Sequence, residues 1–231
     1  MNFENLNINE YLEQLTYFAN YYGSDFRIGQ GTEELLERIN SFSKKGSLID
    51  FGSGSNIYFW LMAFNEIEKV TCVDISRESL YVNEQVRNKI LFPKSVIYPK
   101  NKYGKDYNQI LKIDISYIIK NVFIEPLEEP QKYDNVSQFG LLGLSQTKEN
   151  YIENFSKLFE LLEEKGIFIG ANWMFSSKYA EKKSFSNNYL NKELIQEISE
   201  QFNCNILKCD LVPIKDDENY DYVLIYVLEK K

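Results

Sequence analysis

A short glycine-containing turn is the feature of this sequence best suited to binding chemistry. The apolar run Leu48–Phe51 leads into Gly52-Ser53-Gly54, and a second apolar stretch begins at Ile57. A strand that enters such a turn and opens a helix brings bare backbone and unpaired N–H groups up to a ligand. Asp50 precedes the turn. Asp74 ends the next apolar run, about twenty residues beyond the turn, where a carboxylate can accept both hydroxyls of a ribose.

Two classes of ligand use a turn of this kind. A dinucleotide site favours a third glycine, in G-x-G-x-x-G, where the helix packs beside the pyrophosphate. Ile57 occupies that position, which disfavours an NAD(P)-dependent oxidoreductase. The other ligand is S-adenosylmethionine, with its amino-acid part along the turn and its ribose at Asp74. Because Asp114 also closes a third predicted strand, the sequence favours S-adenosylmethionine.

Composition excludes several other kinds of chemistry. Histidine is absent from the 231 residues, and the three cysteines form no disulfide framework or metal-ligand pattern. Ser-His-Asp and Cys-His nucleophilic schemes are therefore excluded, and no metal site is expected. The 26 basic and 34 acidic residues give a net charge of −8, so nothing favours binding to nucleic acid or an anionic membrane. No secretory signal or membrane-spanning run is visible, and the sequence predicts a cytoplasmic protein.

The apolar periodicity predicts the elements that position these residues. Helices are predicted at residues 9–22, 32–42, 57–64, 77–91, 151–162 and 192–202. Strands are predicted at 47–51, 70–74, 109–114, 134–142 and 167–170, followed by an antiparallel pair at 205–211 and 222–228. Residues 92–109 are predicted to form a polar excursion or a surface helix, and residues 121–130 a loop.

This order of elements predicts an α/β fold. We expect a Rossmann-like, doubly wound and mostly parallel seven-stranded sheet with an antiparallel edge strand and an N-terminal helical cap. The chain is expected to form a single domain over residues 1–231, with the cap at 1–45 and the Rossmann-like core at 46–231.

Four segments resemble one enzyme family. LIDFGSGSNIY, at Leu48–Tyr58, is similar to LIDIGSGPTIY, the glycine motif of the nicotinamide/phenylethanolamine/thioether and indolethylamine methyltransferases. Tyr17–Tyr22 resembles the YLEKYY of that family, and Ile110–Asp114 resembles its LKCDV. Phe175–Asn187 resembles its KSSYY and FSS segments. The matches occur in the same order over most of the chain.

The resemblance implies a methyltransferase that uses S-adenosylmethionine, releases S-adenosylhomocysteine and acts on a small molecule. It implies tyrosines that close over the cofactor, a ribose carboxylate and contacts to the adenine. The implied cofactor-binding residues are Tyr17, Tyr22, Gly52, Ser53, Gly54, Asn56, Tyr58, Asp74, Ile75, Ser79, Asp114, Ile115 and Phe139. The implied substrate-binding residues are Asn172, Trp173, Ser176, Tyr179 and Asn187.

The expected reaction is N-methylation of an amine or N-heterocycle. Nicotinamide methyltransferases place Asp at the position of Asn172, and because Asn can neither carry a negative charge nor act as a base, nicotinamide is not expected as the substrate. A neutral nitrogen needs no strong base, so the residues are expected to position the reactants, and none is assigned as catalytic. O- or S-methylation on the same fold and a non-catalytic S-adenosylmethionine-binding protein are the alternatives. A monomer or weak dimer is expected.

Overall fold

A central sheet with helices on both faces organises the chain, in a computed structural model that describes residues 5–127 and 131–231. The first four residues of the predicted cap and the last three of the predicted loop at 121–130 lie outside the described residues. The strands are β1 Gly46–Phe51, β2 Ile67–Asp74, β3 Asp114–Ile119, β4 Tyr133–Phe139, β5 Leu162–Phe175, β6 Cys204–Pro213 and β7 Tyr220–Lys230. The helices are α1 Ile8–Tyr21, α2 Thr32–Phe42, α3 Ile57–Leu61, α4 Arg77–Arg87, α5 Ile97–Tyr103, α6 Tyr107–Ile110, α7 Lys148–Phe159, α8 Ser177–Lys183 and α9 Lys192–Gln201. Short 3-10 turns lie at Lys94–Val96 and Leu142–Leu144.

The sheet has seven strands in the order β3-β2-β1-β4-β5-β7-β6. β1 to β5 run parallel, and β7 pairs antiparallel with both β5 and β6. The predicted Rossmann-like, mostly parallel sheet with an antiparallel pair at one side is confirmed. The strand order reverses between β1 and β4, and such a switch point opens a crevice at the carboxyl ends of the strands.

Two apolar clusters fill the spaces between the sheet and its helices. On one face, α2, α3 and α4 bury residues such as Leu36, Trp60 and Val82 in one cluster, with α2 against β5 and β7 and α4 against β2. On the other face, α7 and α9 bury residues such as Phe155 and Ile195 against β4, β5 and β7. The sheet is covered on both sides, which explains why β1 is an almost continuous run of buried residues. Among the described helices, none combines the length and apolarity needed to cross a bilayer.

The third strand begins where the predicted one was expected to end. Residues 107–110 form the short helix α6, because the Asp106 side chain accepts a hydrogen bond from the Asn108 N–H and caps it. β3 then runs from Asp114, which pairs with Lys69, to Ile119, which pairs with Asp74. The prediction of a strand at 109–114 is therefore wrong. Asp114 lies at the amino end of β3, five residues or about 16 Å along the strands from Asp74.

β5 is much longer than the predicted strand at 167–170. It continues to Phe175 because its last nine residues pair with β7, from Ile167 opposite Glu229 to Phe175 opposite Tyr220. Alternate residues of a strand face opposite sides of the sheet. Asn172 and Trp173 therefore point in opposite directions, although both were expected to follow the strand.

The amino-terminal helix α1 is held against the start of α4. The Ser76 hydroxyl donates to Glu10 Oε1 at 2.8 Å, and the Ser79 hydroxyl donates to Gln14 Oε1 at 2.8 Å. The Asn7 N–H donates to Glu78 Oε1 at 2.7 Å. These bonds place the carboxyl end of α1, with its tyrosines, above the carboxyl edge of the sheet.

Candidate functional site

A cavity of about 250 Å³ opens at the switch point of the sheet. Its floor is formed by the residues that end β1 and β4 and by one residue of β5. Its other walls come from the end of α1, the segment after it, α3 and the turn between β6 and β7. The lining residues are Tyr17, Tyr21, Tyr22, Phe26, Arg27, Gln30, Thr32, Asp50, Gly52, Ser53, Gly54, Phe59, Trp60, Phe139, Gly140, Trp173, Asp217 and Tyr220.

The glycine turn after β1 is fixed by hydrogen bonds within the protein. The N–H groups of Gly52 and Ser53 both donate to the Val73 carbonyl, at 2.8 and 3.2 Å. The Gly54 N–H donates to Asp74 Oδ2 at 2.9 Å, and the Ile57 N–H, at the start of α3, donates to Asn83 Oδ1 at 2.7 Å. These four donors are therefore not free to bind a pyrophosphate.

Glycine is required twice in this turn. Gly52 has φ of +66°, and a β-carbon there would lie 3.0 Å from the Leu141 β-carbon. Gly54 has φ of +58°, and a β-carbon there would meet only the Gly52 carbonyl oxygen, at 3.9 Å. The surface of Gly54 is open, so a ligand can lie directly on its backbone.

Asp74 links this turn to the end of β2. Its Oδ2 accepts the Gly54 N–H, and its Oδ1 accepts the Ser76 N–H at 2.8 Å. Burial raises the pKa of Asp74, while the backbone N–H groups of Ser76 and Gly54 lower it. Each carboxylate oxygen keeps a second lone pair, so the side chain can still accept hydrogen bonds from a ligand.

A second carboxyl group, Asp50, lines the floor of the cavity. Its Oδ1 accepts a hydrogen bond from the Ser137 hydroxyl at 2.5 Å. Burial raises the pKa of Asp50 to about 7, against the lowering effect of the Ser137 and Ser53 hydroxyls. An adjacent cation would favour the charged form of this carboxyl group.

Replacement of Asp50 by asparagine is expected to change how stability depends on pH. The unfolded chain loses the Asp50 proton near pH 3.8, whereas the folded protein keeps it until about pH 7. The free energy of unfolding should therefore fall by about 2 kcal/mol from pH 5 to pH 7 through this group, and Asp50→Asn should lack that part of the decline. Urea unfolding of both proteins at the two pH values measures it. An identical decline in both would contradict the burial-raised pKa.

Aromatic rings surround the cavity above the glycine turn. The Trp60 and Phe139 rings lie 4.7 Å apart between centroids, and Tyr22 contacts Phe59 at 5.6 Å. Tyr17 lies 6.3 Å from Tyr22 by the same measure. Aromatic faces attract cations, and two carboxyl groups lie at the same edge of the sheet. The site is thus suited to a ligand with positive charge.

Hydrogen bonds frame the mouth of the cavity on two sides. The β6–β7 turn, residues 214–219, is fixed to the segment after α1, because Gln30 Nε2 donates to the Lys215 carbonyl at 2.7 Å. On the other side, the Ser176 hydroxyl donates to the Glu218 carbonyl at 2.7 Å, and its N–H donates to the Asn219 carbonyl at 2.8 Å. These bonds fix the β6–β7 turn at the mouth of the cavity.

Six of the thirteen cofactor residues implied by the resemblance line the cavity. Those that line the cavity are Tyr17, Tyr22, Gly52, Ser53, Gly54 and Phe139. Asp74 contacts the turn, and Ile75 beside it is 67% exposed.

The excursion predicted at 92–109 lines no part of the cavity. It supports one wall from behind, where Tyr98 stacks on Phe26 at 4.1 Å.

The other implied cofactor residues are not available to a ligand at this edge. Asn56 and Tyr58 are fully buried and line no part of the cavity. The Ser79 hydroxyl is used by Gln14, as described above. Asp114 and Ile115 lie at the amino end of β3, away from the cavity. The expectation that they contact the adenine is therefore wrong. The residue that follows β3 at the correct edge is Lys120, whose N–H donates to the Asp74 carbonyl at 2.9 Å.

Of the implied substrate residues, only Trp173 lines the cavity. Asn172 lies on the opposite face of β5, is fully buried, and donates from Nδ2 to the Tyr151 hydroxyl at 2.9 Å. Asn187 accepts the Phe175 N–H and donates to the Gly143 and Trp173 carbonyls, so it fixes the end of β5. Ser176 caps α8, and its hydroxyl holds the β6–β7 turn. Tyr179 packs against the Tyr220 ring at 5.5 Å between centroids, behind the cavity wall.

Several lining residues carried no recognisable sequence signal. Phe26, Arg27 and Gln30 lie in the irregular segment between α1 and α2, and Asp217 and Tyr220 lie at the far end of the chain. Only the fold brings these two segments together. Asp50 did carry a signal, because an acidic residue before the glycine turn is expected at such a site.

Comparison with known proteins gives no sequence relative, since no protein-family model and no curated protein sequence matches the chain. Solved structures do match. The N-methyltransferase NodS from Bradyrhizobium japonicum WM9, in complex with S-adenosylhomocysteine, has a TM-score of 0.61 at 10% identity over 96% of this chain and 98% of that one. Magnesium protoporphyrin IX methyltransferase (ChlM) from Synechocystis PCC 6803, with bound S-adenosylmethionine, has a TM-score of 0.60 at 12% identity over 95% and 91% of the two chains.

A third match is an S-adenosylmethionine-dependent methyltransferase from Clostridium acetobutylicum ATCC 824, with a TM-score of 0.58 at 14% identity over 96% of this chain and 99% of that one. Identities this low show a shared fold. The chain therefore has the fold of the class I methyltransferases.

Proposed function

We propose that the protein is an S-adenosylmethionine-dependent methyltransferase that methylates the nitrogen of a small amine or N-heterocycle. The observation that carries this proposal is the glycine turn, with four of its N–H groups bonded within the protein and two carboxyl groups beside it. A pyrophosphate would need those donors, and the carboxylates would repel it. A ligand with a ribose, an ammonium group and a sulfonium suits the same turn.

The described residues fit S-adenosylmethionine part by part. Asp74 would accept the ribose hydroxyls, and the open backbone of Gly54 would support the amino-acid part. Asp50 would face the ammonium group, and the rings of Tyr17 and Tyr22 would cover it. The structures of NodS and ChlM hold S-adenosylhomocysteine and S-adenosylmethionine, which supports the same cofactor here. The narrower resemblance, to the nicotinamide/phenylethanolamine/thioether methyltransferases, rests on the segments of sequence.

When bound, S-adenosylmethionine supplies a methyl group activated by its sulfonium, which an acceptor nitrogen takes in an in-line displacement that leaves S-adenosylhomocysteine. The residues of the chain orient the reactants and exclude water. Such positioning is worth on the order of 7–11 kcal/mol in suitable reactions. The rings of Trp60, Phe139 and Trp173 stabilise nearby positive charge by about 0.5–2 kcal/mol. A small acceptor is proposed because the cavity has a volume of only about 250 Å³.

Calorimetric titration with S-adenosylhomocysteine tests the proposal, with NAD in a parallel cell. We expect micromolar binding of S-adenosylhomocysteine alone. Panels of amines, N-heterocycles, phenols and thiols, each with S-adenosylmethionine, would then identify the acceptor atom. Tight binding of NAD, or no binding of S-adenosylhomocysteine, would overturn the proposal. Turnover of phenols or thiols alone would keep the methyltransferase and reject the N-methylation.

A further inference from the structure

Arg27 is the one positively charged residue among those that line the cavity. It lies in the segment after α1, on the outer wall. Its one hydrogen bond within the described residues runs from Nη2 to the Asn20 carbonyl, at a long 3.4 Å. It forms no ion pair with the described carboxylates, unlike Arg38, which pairs with Asp210 at 2.8 Å. Most of its five N–H donors are thus available to a ligand.

A carboxylate faces the same part of the cavity without neutralising this charge. Asp217 Oδ1 accepts the N–H groups of Asn219 and Tyr220, at 2.8 and 3.2 Å. The neighbouring Glu218 is engaged by Lys178 instead. Oδ2 of Asp217 has no partner among the described residues. The mouth therefore carries one unpaired positive and one unpaired negative group.

The two charges lie where two segments of the chain meet at the mouth of the cavity. Arg27 belongs to the segment after α1 and Asp217 to the β6–β7 turn, and these two segments are hydrogen-bonded to each other. Asp50 and the glycine turn instead form the floor of the cavity, at the ends of the strands. Burial raises the pKa of Tyr21, the Asp217 carboxylate raises it further and the Arg27 guanidinium lowers it. Arg27 and Asp217 therefore belong to the wall at the mouth and not to the floor.

We propose that the methyl acceptor is a zwitterion, an amine that also carries a carboxylate or a phosphate, and that Arg27 binds its anionic group at the mouth of the cavity. This inference rests on the proposed function. A guanidinium binds such anions with paired, charge-assisted hydrogen bonds, and Asp217 provides the opposite charge for the ammonium group of the acceptor as it enters. The ammonium group loses one proton to water before the lone pair of the nitrogen takes the methyl group. A free amine would leave Arg27 without a partner, and a free acid would leave Asp217 without one.

Matched pairs of probes that differ only in the anionic group test this proposal. The complex of the protein with S-adenosylhomocysteine is titrated calorimetrically with phenylalanine against phenethylamine, histidine against histamine, and phosphoethanolamine against ethanolamine. We expect at least one member with the anionic group to bind about tenfold or more tightly than the partner that lacks it. Equal binding within every pair, or no binding by any anionic member, would overturn the proposal.

Variants of Arg27 assign the preference to this side chain. Arg27→Gln should reduce the preference for the anionic member to near unity, and Arg27→Lys should keep part of it. Arg87→Gln is the matched control, because Arg87 lies on α4 outside the cavity lining and pairs with Glu84, at 4.0 Å. A preference that survives in Arg27→Gln would overturn the proposal.

The cofactor also carries a carboxylate, so a further titration decides whether Arg27 binds the anionic group of the acceptor or the carboxylate of the cofactor. Arg27→Gln is titrated with S-adenosylhomocysteine and with 5′-methylthioadenosine, which lacks the amino-acid part and therefore the carboxylate. Binding of both at wild-type strength supports the acceptor. Weakened binding of S-adenosylhomocysteine alone would assign Arg27 to the cofactor and overturn the proposal. Failure of the wild-type protein to bind S-adenosylhomocysteine would instead overturn the proposed function itself.

Discussion

Asp74→Ala is expected to weaken the binding of S-adenosylhomocysteine by about 100-fold or more, in calorimetric titration. Two ribose hydroxyls would each lose a charge-assisted hydrogen bond, worth about 1.5–3 kcal/mol apiece. The loss extends further, because the same carboxylate holds the Gly54 and Ser76 N–H groups. Asp74→Asn keeps one acceptor oxygen and should lose less. Wild-type affinity in Asp74→Ala would show that the ribose binds elsewhere.

Asn172→Ala is the matched control for that experiment. Its side chain is buried on the opposite face of β5, against Tyr151, and lines no part of the cavity. It should leave the affinity for S-adenosylhomocysteine within about threefold and lower the free energy of unfolding by about 1–3 kcal/mol, since the Tyr151 hydroxyl loses a buried partner. Equal losses of affinity in both variants would show that the two sides of β5 are wrongly assigned.

Gly170→Ala is expected to destabilise the protein by about 3 kcal/mol or more. A β-carbon on Gly170 would lie 2.2 Å from Cζ of Tyr226, a fully buried ring on the neighbouring β7. The ring cannot move freely, because its hydroxyl lies 2.8 Å from that of Tyr151 and accepts from Gln138 Nε2 at 3.2 Å. Overpacking alone costs about 1–3 kcal/mol, and the displaced hydroxyls add the cost of unmet hydrogen bonds. Urea unfolding measures the difference.

Gly143→Ala makes the same chemical change where there is room for it. A β-carbon there would lie 3.4 Å from the nearest atoms of Asn172, an ordinary contact distance. Its free energy of unfolding should stay within about 1 kcal/mol of the wild-type value. A comparable loss in both variants would mean that the Tyr226 ring relaxes, and that the tight contact at Gly170 is not what limits the substitution.

The strands and helices that build the carboxyl edge could be predicted from sequence, because their patterns are local. The run at Leu48–Phe51 is apolar throughout, as expected for a strand covered on both faces, and the glycine turn follows it directly. The helix at 32–42 agrees with the observed bounds of α2, where Glu33 and Glu34 occupy the first turn and the apolar face is regular. The alternation of strands and helices then predicts a mostly parallel sheet covered on both faces.

The errors in the site came from strand bounds. Ile110, Leu111 and Ile113 look like a strand, yet Asp106 caps a helical turn there and the strand starts at Asp114. Asp114 therefore lies at the amino edge of the sheet, whereas the predicted adenine contact needs the carboxyl edge. Asn172 and Trp173 were assigned to one surface because β5 was expected to end before them. Pairing with β7, about fifty residues further along the sequence, lengthens the strand, and Asn172 and Trp173 then lie on opposite faces of it.

Local patterns could not predict that Arg27 and Asp217 line the same cavity. Each residue belongs to an irregular segment, with no periodicity that assigns a face. The contact between Gln30 and Lys215 spans 185 residues of sequence, and it forms only when the sheet has brought the two ends of the chain to one edge. The resemblance to known methyltransferases could not predict this arrangement either, because neither Arg27 nor Asp217 belongs to a segment that matches the family.

The hydrogen bonds inside the glycine turn decide when its conformational entropy is lost. Fixing the backbone of one residue costs about 1–2 kcal/mol at room temperature. Gly52, Ser53 and Gly54 are already held by Val73 and Asp74, so this cost is met during folding. A ligand that settles on the turn orders little additional backbone, and more of its interaction energy remains as affinity.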